Sequence, residues 1–206
     1  RIGLGITGLA DALLYCGLAY GSPAAVERME AWLIAIRRAA YRTSALLAAE
    51  KGPFPCYDPV MLDRPGLLAL DDETRGMIAA HGLRNGCLTS IAPTGTTSLL
   101  AGNVSSGIEP VFAYQYNRRI LQPDGSVRYE SVEDQALHTW QGLFVAEPPP
   151  EALFVSAQTL APADHVAMQA AAQRLIDSSI SKTVNCPEDI AFEAFDLACE
   201  HPQPLR

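Results

Sequence analysis

No C-x-x-C pair occurs in this chain, no two histidines or cysteines stand at metal-ligand spacing, no apolar run is long enough to cross a bilayer, and basic residues are few. The cysteines, Cys16, Cys56, Cys87, Cys186 and Cys199, form an odd and scattered set. That argues against a disulfide framework and a four-thiolate metal centre, and five reduced, buried thiols are expected. His81, His138, His165 and His201 are equally dispersed, so no protein-bound metal is expected; His165, among alanines and glutamines, reads as a hydrogen-bonded structural residue. With 15 Lys and Arg against 23 Asp and Glu, the formal net charge is −8. Such a surface does not attract a phosphate backbone, and polymeric nucleic acid is not an expected partner. Spanning a bilayer takes roughly 20 consecutive apolar residues, and the start Arg1-Ile2-Gly3 forms no basic, cleavable leader. A cytoplasmic protein without membrane contact is expected. What is plentiful is apolar side chain, 49% of 206 residues, enough for the core of one domain or of a substantial piece of a larger one.

Gly3-Leu4-Gly5-Ile6-Thr7-Gly8 matches the dinucleotide pattern G-x-G-x-x-G in letters only. Two residues precede it where a strand should stand, and the acids at the right distance, Glu27 and Glu30, fall inside a helix. It reads instead as a glycine-rich turn whose small residues let a helix over Leu9 to Leu18 pack closely. Ser22-Pro23 begins a long amphipathic helix reaching Gly52, with Val26, Met29, Leu33, Ile36, Ala40 and Leu47 as its apolar stripe. Glu27, Glu30, Arg37 and Arg38 lie on a face read as solvated or touching a neighbour. Prolines between Pro53 and Pro59 predict an ordered loop, and a short helix from Asp72 to Ala80 stops at Gly82. Val111 to Tyr116 and Ser126 to Tyr129, joined by Pro123-Asp124-Gly125, predict a hairpin. Helices follow over Glu133 to Leu143, from Pro162 to just before Ser178, and from Pro187 to about Cys199.

The most informative stretch is Arg84 to Ser98, which reads as a short apolar strand, a tight turn and a helix start rich in hydroxyls. The amides of a first helical turn carry about half a positive charge between them and hold an anion without a basic side chain. Pro93 fixes the entry, Gly95 allows a ligand close to the backbone, and Thr94, Thr96, Thr97 and Ser98 add hydroxyls. A capped helix start with no ligand would carry the same letters. Leu99 to Phe112 continues with a helix stop at Gly102-Asn103, a polar turn and the segment Ile108-Glu109-Pro110.

This run resembles the catalytic subunit of ribonucleotide reductases, most closely the adenosylcobalamin-dependent class. Ile2 to Leu13, Glu50-Lys51-Gly52-Pro53-Phe54-Pro55, and Ser179 to Asn185 resemble the same family in the same order. The resemblance implies an α/β fold: the second half of a ten-stranded α/β barrel, incomplete at both ends. Residues 1–206 would then be a partial catalytic-barrel domain without the amino-terminal half or the finger loop. It further implies that Pro93, Thr94, Gly95, Thr96, Thr97 and Ser98 hold the phosphates of a ribonucleoside di- or triphosphate. Asn103, Ser105, Ser106, Glu109 and Lys182 sit in family-like motifs as structural support or cleft lining, and Lys182 is either an anion partner or a solvated or salt-bridged lysine.

The family's Asn-x-Cys-x-Glu motif is absent, since Asn85-Gly86-Cys87-Leu88-Thr89 lacks the glutamate, so Cys87 is not read as the radical cysteine and no catalytic residue is assigned. After Phe195 the expected Gly-Cys-Thr-Thr-Tyr-Arg-like strand is also missing. The chain alone is expected to bind no adenosylcobalamin and to reduce no ribonucleotide; the cofactor belongs to the complete enzyme. A missing half-barrel or split subunit is the implied partner, with oligomerisation open. Two other readings stay open: a non-catalytic nucleotide-binding relative, and an interaction module whose apolar barrel edge binds a partner.

Overall fold

The computed structural model describes residues 1–145, 147–186, 190–192 and 196. In chain order its elements are α1 (Leu9–Tyr15), α2 (Pro23–Lys51), a 3-10 turn (Pro59–Asp63), α3 (Pro65–Leu68), α4 (Asp72–His81), α5 (Gly95–Leu100), β1 (Gln115–Leu121), β2 (Val127–Glu133), α6 (Gln135–Leu143) and α7 (Pro162–Gln173). Helix α2 organises the rest. Ser22 caps it by accepting a hydrogen bond from the Ala25 amide at 3.2 Å, Pro23 occupies its first turn, and Gly52 ends it. At 29 residues it is long enough to serve two cores. Its first half packs Met29 and Leu33 against α1, α7 and the Ile108–Val111 segment. Its second half packs Tyr41 and Ala45 against Leu67, Leu70, Ile78 and Leu88.

The buried stripe of α2 runs through Ala25, Met29, Leu33, Arg37, Tyr41, Ala45 and Ala48, rotated from the predicted one. Arg37 is therefore not solvated. It is 5% exposed, donates to the Gly66 carbonyl and lies 5.8 Å from the Tyr41 ring centroid. Arg38, by contrast, stays at the surface and pairs with Asp71 and Glu73, while Glu30 pairs with Arg174 beyond α7.

Helix α1 stops three residues short of the predicted Leu18. Gly17 takes a left-handed conformation, φ 69°, and the Leu18 amide reaches back to the Leu13 carbonyl at 2.9 Å, closing the last turn. The hairpin forms, but β1 begins at Gln115 and β2 extends to Glu133, paired in register from Gln115–Glu133 to Leu121–Val127. Helix α6 consequently starts after Asp134, whose carboxylate accepts from the Ala136 amide. The predicted helix from Pro187 lies mostly outside the described residues.

The ten-stranded barrel is not seen among the described residues, where the sheet structure is the β1–β2 hairpin and an isolated parallel bridge between Leu4 and Thr89. The expected strand before the turn is thus an extended segment. It is tied on one side to residues 2–4 and on the other to Ser178, whose amide donates to the Thr89 carbonyl at 3.2 Å. Gly3 and Gly5 matter to this seam rather than to helix packing, because a Cβ on either would overlap Ser90. The glycine pattern therefore marks close backbone approach between two extended segments.

Among the described residues no helix is long and apolar enough to cross a membrane, and no three His, Cys, Asp or Glu side chains gather as a metal site. The thiols are less buried than the sequence suggests: Cys16 and Cys56 are exposed, Cys87 and Cys186 half-buried, all unpaired, and Cys199 lies outside the described residues. With a disulfide-forming aromatic reagent, Cys16→Ser and Cys56→Ser are each expected to remove one equivalent from the fast phase of native-state thiol modification. An unchanged fast phase in either variant would refute that exposure.

Candidate functional site

Thr94 is the hinge of the turn. It sits in the left-handed region at φ 50°, a conformation that costs a residue with a β-branch roughly 1 kcal/mol or more. Its hydroxyl, which would ordinarily cap a helix start, makes no capping bond to α5. Instead it accepts from the Gly107 amide at 2.7 Å and lies 2.9 Å from the Thr7 hydroxyl, which in turn reaches the Ser105 carbonyl at 3.2 Å. Gly107 closes the clasp at φ 55°; a Cβ there would come within 2.9 Å of the Ala92 carbonyl oxygen. The first-turn amides of α5 are left without a capping side chain.

Beside α5 lies a cavity of about 490 Å³. Gly95, Ser98, Asn103, Ser105, Ser106 and Glu109 line it, so six of the residues singled out in the sequence meet there. Ser98 is buried, its hydroxyl donating to the Gly95 carbonyl at 3.0 Å and lying 3.1 Å from that of Ser106. Pro93, Thr96 and Thr97 are exposed outside the lining, and Thr94 faces its clasp. Asn103, also left-handed at φ 62°, ties the hairpin to the end of α5 by donating to the Glu133 carbonyl at 2.8 Å and accepting from the Tyr116 hydroxyl at 3.2 Å.

Of the readings open for Lys182 the salt-bridged one holds, and its place in the cleft lining is corrected. It does not line the cavity, and its side chain is only 6% exposed. Its ammonium donates to Glu109, to Nδ1 of His165 at 3.1 Å and to the Thr183 carbonyl at 2.8 Å, which fills its three donors. It is committed to the protein rather than available to an anion. Burial lowers the pKa of Lys182 against the opposing pull of Glu109. Burial, and then the Lys182 charge, likewise lower that of His165, keeping the ring neutral. His165 is 1% exposed, and its Nε2 lies 3.3 Å from the Ala157 carbonyl. The structural reading of His165 holds, with a polar partner that its sequence neighbours do not reveal.

A second acidic group sits at the cavity wall. Asp134 and Asp11 are each 2% exposed, and their buried carboxyls act on one another electrostatically. Burial, and then the Asp11 charge, push the Asp134 carboxyl up to about 7. Asp11 Oδ2 accepts from the Ser105 amide at 2.7 Å, which anchors the turn after α5 to α1. Arg118, on β1, supplies the lining with a cation; its cross-strand neighbour Glu130 is paired to Arg128.

Arg118, Tyr116, Asp134, His165, Thr183 and Asn185 complete the lining without having been singled out as site residues. Tyr116 and Arg118 lie two apart on one strand face, a period-two signal available in the sequence. Asp134 precedes a helix as any capping residue does. The contacts of His165 come from residues 8 and 17 positions away and carry no local signature.

The family model of the ribonucleotide reductase barrel domain matches residues 1–199. The vitamin B12-dependent ribonucleoside-diphosphate reductase of Mycobacterium tuberculosis is 34% identical over 203 residues, covering 91% of this chain and 27% of that protein. The protein of the same name from Thermoplasma acidophilum is 31% identical over 225 residues, covering 97% of this chain and 27% of its own length. The large subunit of ribonucleoside-diphosphate reductase from Arabidopsis thaliana is 33% identical over 132 residues, 58% of this chain and 16% of that one. The chain thus spans about a quarter of the length of the B12-dependent relatives.

Proposed function

The chain belongs to the ribonucleotide reductase barrel-domain family, and from that premise we propose that its cavity beside α5 holds the phosphates of a ribonucleoside di- or triphosphate. The observation that carries this reading is the uncapped start of α5. Thr94 gives its hydroxyl to Gly107 and Thr7, so the first-turn amides keep their capacity for an anion at the edge of a cavity of ligand size. Ser106 adds a hydroxyl, braced by that of Ser98, and Arg118 adds a positive charge to the lining.

In this reading residues 1–206 are the substrate-phosphate part of a larger reductase, and the partner is the remaining half-barrel with its finger loop. Positioning phosphate is all that this part supplies. Among the described residues no cysteine lines the cavity, so hydrogen abstraction from the sugar falls to a cysteine carried elsewhere. The B12-dependent relatives extend the proposal to adenosylcobalamin in the complete enzyme, where it supplies the radical. The described residues do not fit that group: a cavity of about 490 Å³ suits a nucleotide rather than a corrin, and both ring nitrogens of His165 are engaged.

Gly95→Val tests the site. A Cβ at Gly95 meets no atom within 4 Å, so the fold accepts it, while the added side chain crowds the anion. Titration calorimetry with pyrophosphate is expected to show roughly tenfold or greater weakening, the scale of losing hydrogen bonds to a charged group, with an unchanged unfolding midpoint. Equal affinity in both proteins would remove the phosphate reading.

A further inference from the structure

We infer that the buried carboxyls of Asp11 and Asp134 hold one proton between them on which anion binding in the cavity depends, so that the site beside α5 weakens as that proton is lost. This rests on the phosphate reading above and adds to it a control by pH. Asp11 belongs to α1 and Asp134 to the corner between β2 and α6, and neither is reached by bulk water. Among the described residues their hydrogen-bond donors are amides: Asp11 Oδ2 accepts from Ser105, and Asp134 caps α6 by accepting from Ala136 at 2.9 Å. Oδ1 of Asp11 is buried and has no hydrogen-bond partner among them. A buried acceptor left without a donor, close to a second buried carboxyl, calls for a proton rather than another negative charge. Placing that proton on Asp134, directed at Asp11, is the arrangement that strands neither group.

The neighbouring groups do not supply the proton. The Tyr114 phenol, before β1, feels the charge of both carboxyls, but its hydroxyl donates to the Val155 carbonyl at 2.8 Å, and burial raises its pKa so that it stays protonated. His138, on α6, stands at the surface 3.9 Å from Glu133. Arg118, Glu109 and His165 share the cavity lining with Asp134; Glu109 is paired with Lys182, and His165 is held neutral. Asp134 is left to titrate against burial and the charge of Asp11, with its midpoint near neutrality.

Losing the proton acts on the cavity twice. Asp134 lines it, so ionisation adds a negative charge to a wall that must face phosphate oxygens. The second effect runs through Ser105, another lining residue, which is held to α1 at both ends of its contact: its amide donates to Asp11 Oδ2 at 2.7 Å, and its hydroxyl accepts from the Ala10 amide at 3.1 Å. Two ionised carboxyls repel across that joint and load the turn that follows α5. On the hairpin side the Asp134 amide donates to the Tyr114 carbonyl at 2.9 Å, so the same repulsion bears on the strand that carries Tyr116 and Arg118 into the lining. Binding and protonation are then linked in both directions. A bound anion draws the proton onto the pair, and affinity, full below neutrality, falls as pH rises through about 7.

The test is calorimetric titration of the whole chain with pyrophosphate between pH 6 and pH 9, repeated at about pH 7.5 in two buffers of different ionisation enthalpy to count protons. Wild-type affinity is expected to fall by about tenfold between roughly pH 6.5 and pH 8.5, and binding at about pH 7.5 to take up about half a proton more than in Asp134→Asn. Pyrophosphate itself gains negative charge over that interval, which for amides and Arg118 alone would hold or raise affinity. That rise, or a flat profile, is the result expected of Asp134→Asn, whose amide is a permanent donor to Asp11. Asp11→Asn makes the same test from the other partner, since it supplies the donor to Asp134, and it too should lose the fall. The titration of Lys182 and of the ligand is common to all three proteins and cancels in the comparison. Parallel profiles and equal proton counts in wild type and both variants would overturn the proposal, while pyrophosphate binding at pH 6.5 would still stand for the phosphate reading. If pyrophosphate does not bind even there, both readings fall.

Discussion

Replacing Asp177 with alanine is expected to lower the free energy of unfolding by about 3 kcal/mol, the combined scale of lost charge-assisted hydrogen bonds and stranded buried amides. Asp177 Oδ2 accepts from the amides of Leu88 and Thr89 at 2.8 and 3.0 Å, and Oδ1 accepts from the Tyr41 hydroxyl at 2.7 Å. Leu88 and Thr89 are each 1% exposed, while Asp177 stands at the surface and reaches inward to their amides. Thr89 answers by accepting from the Asp177 amide at 2.9 Å. One side chain therefore ties α2, the segment before the turn into α5 and the stretch after α7. Asp177→Asn keeps an acceptor but turns one of the two oxygens into a donor, and should lose about half as much. Urea denaturation followed by circular dichroism measures both. A loss below about 1 kcal/mol for the alanine variant would mean that the three elements are held by packing alone.

The second large effect is on pH dependence. In the folded chain Asp134 titrates at about 7, against an ordinary value of 3.8. A carboxyl whose folded pKa is raised holds its proton in the folded state over a range where the unfolded chain has lost it. Its contribution to stability is therefore fully present below the unfolded value and is lost as pH rises through about 7. The drop between pH 4 and pH 8 should be on the order of 3 kcal/mol. His165 has the opposite sign. Its depressed pKa makes stability fall as pH drops below the ordinary histidine range, so the comparison must be against a variant. Asp134→Asn keeps a good helix cap for α6 and offers Asp11 a permanent donor. It should flatten the neutral limb of the stability profile and be the more stable protein at pH 8. Parallel profiles for the two proteins would show that the Asp11–Asp134 pair does not share a proton.

Local chemistry was legible where it was self-contained. Ser22-Pro23, Gly52, Asp72 and Gly82 delimit α2 and α4 because caps and stops act within a few residues. The turn before α5 was legible for the same reason. What could not be read was whatever depends on partners distant in sequence. The stripe of α2 was misplaced because Arg37 is buried by a carbonyl at Gly66, which no helical period announces. Whether Lys182 meets an anion or a salt-bridge partner could not be read, because Glu109 lies 73 residues away. Gly3 and Gly5 were assigned to helix packing, although the atom that forbids a side chain there belongs to Ser90.

The clasp made by Thr94 has a bearing on ligand thermodynamics. Because Thr7 and Gly107 fix the Thr94 hydroxyl from behind, the left-handed kink is set when the chain folds and not when a ligand arrives. Ordering entropy at this turn is then already spent before association, which leaves translational and side-chain terms as the main opposition to binding. If the turn holds phosphate as proposed, its association rate should be governed by encounter and not by loop rearrangement.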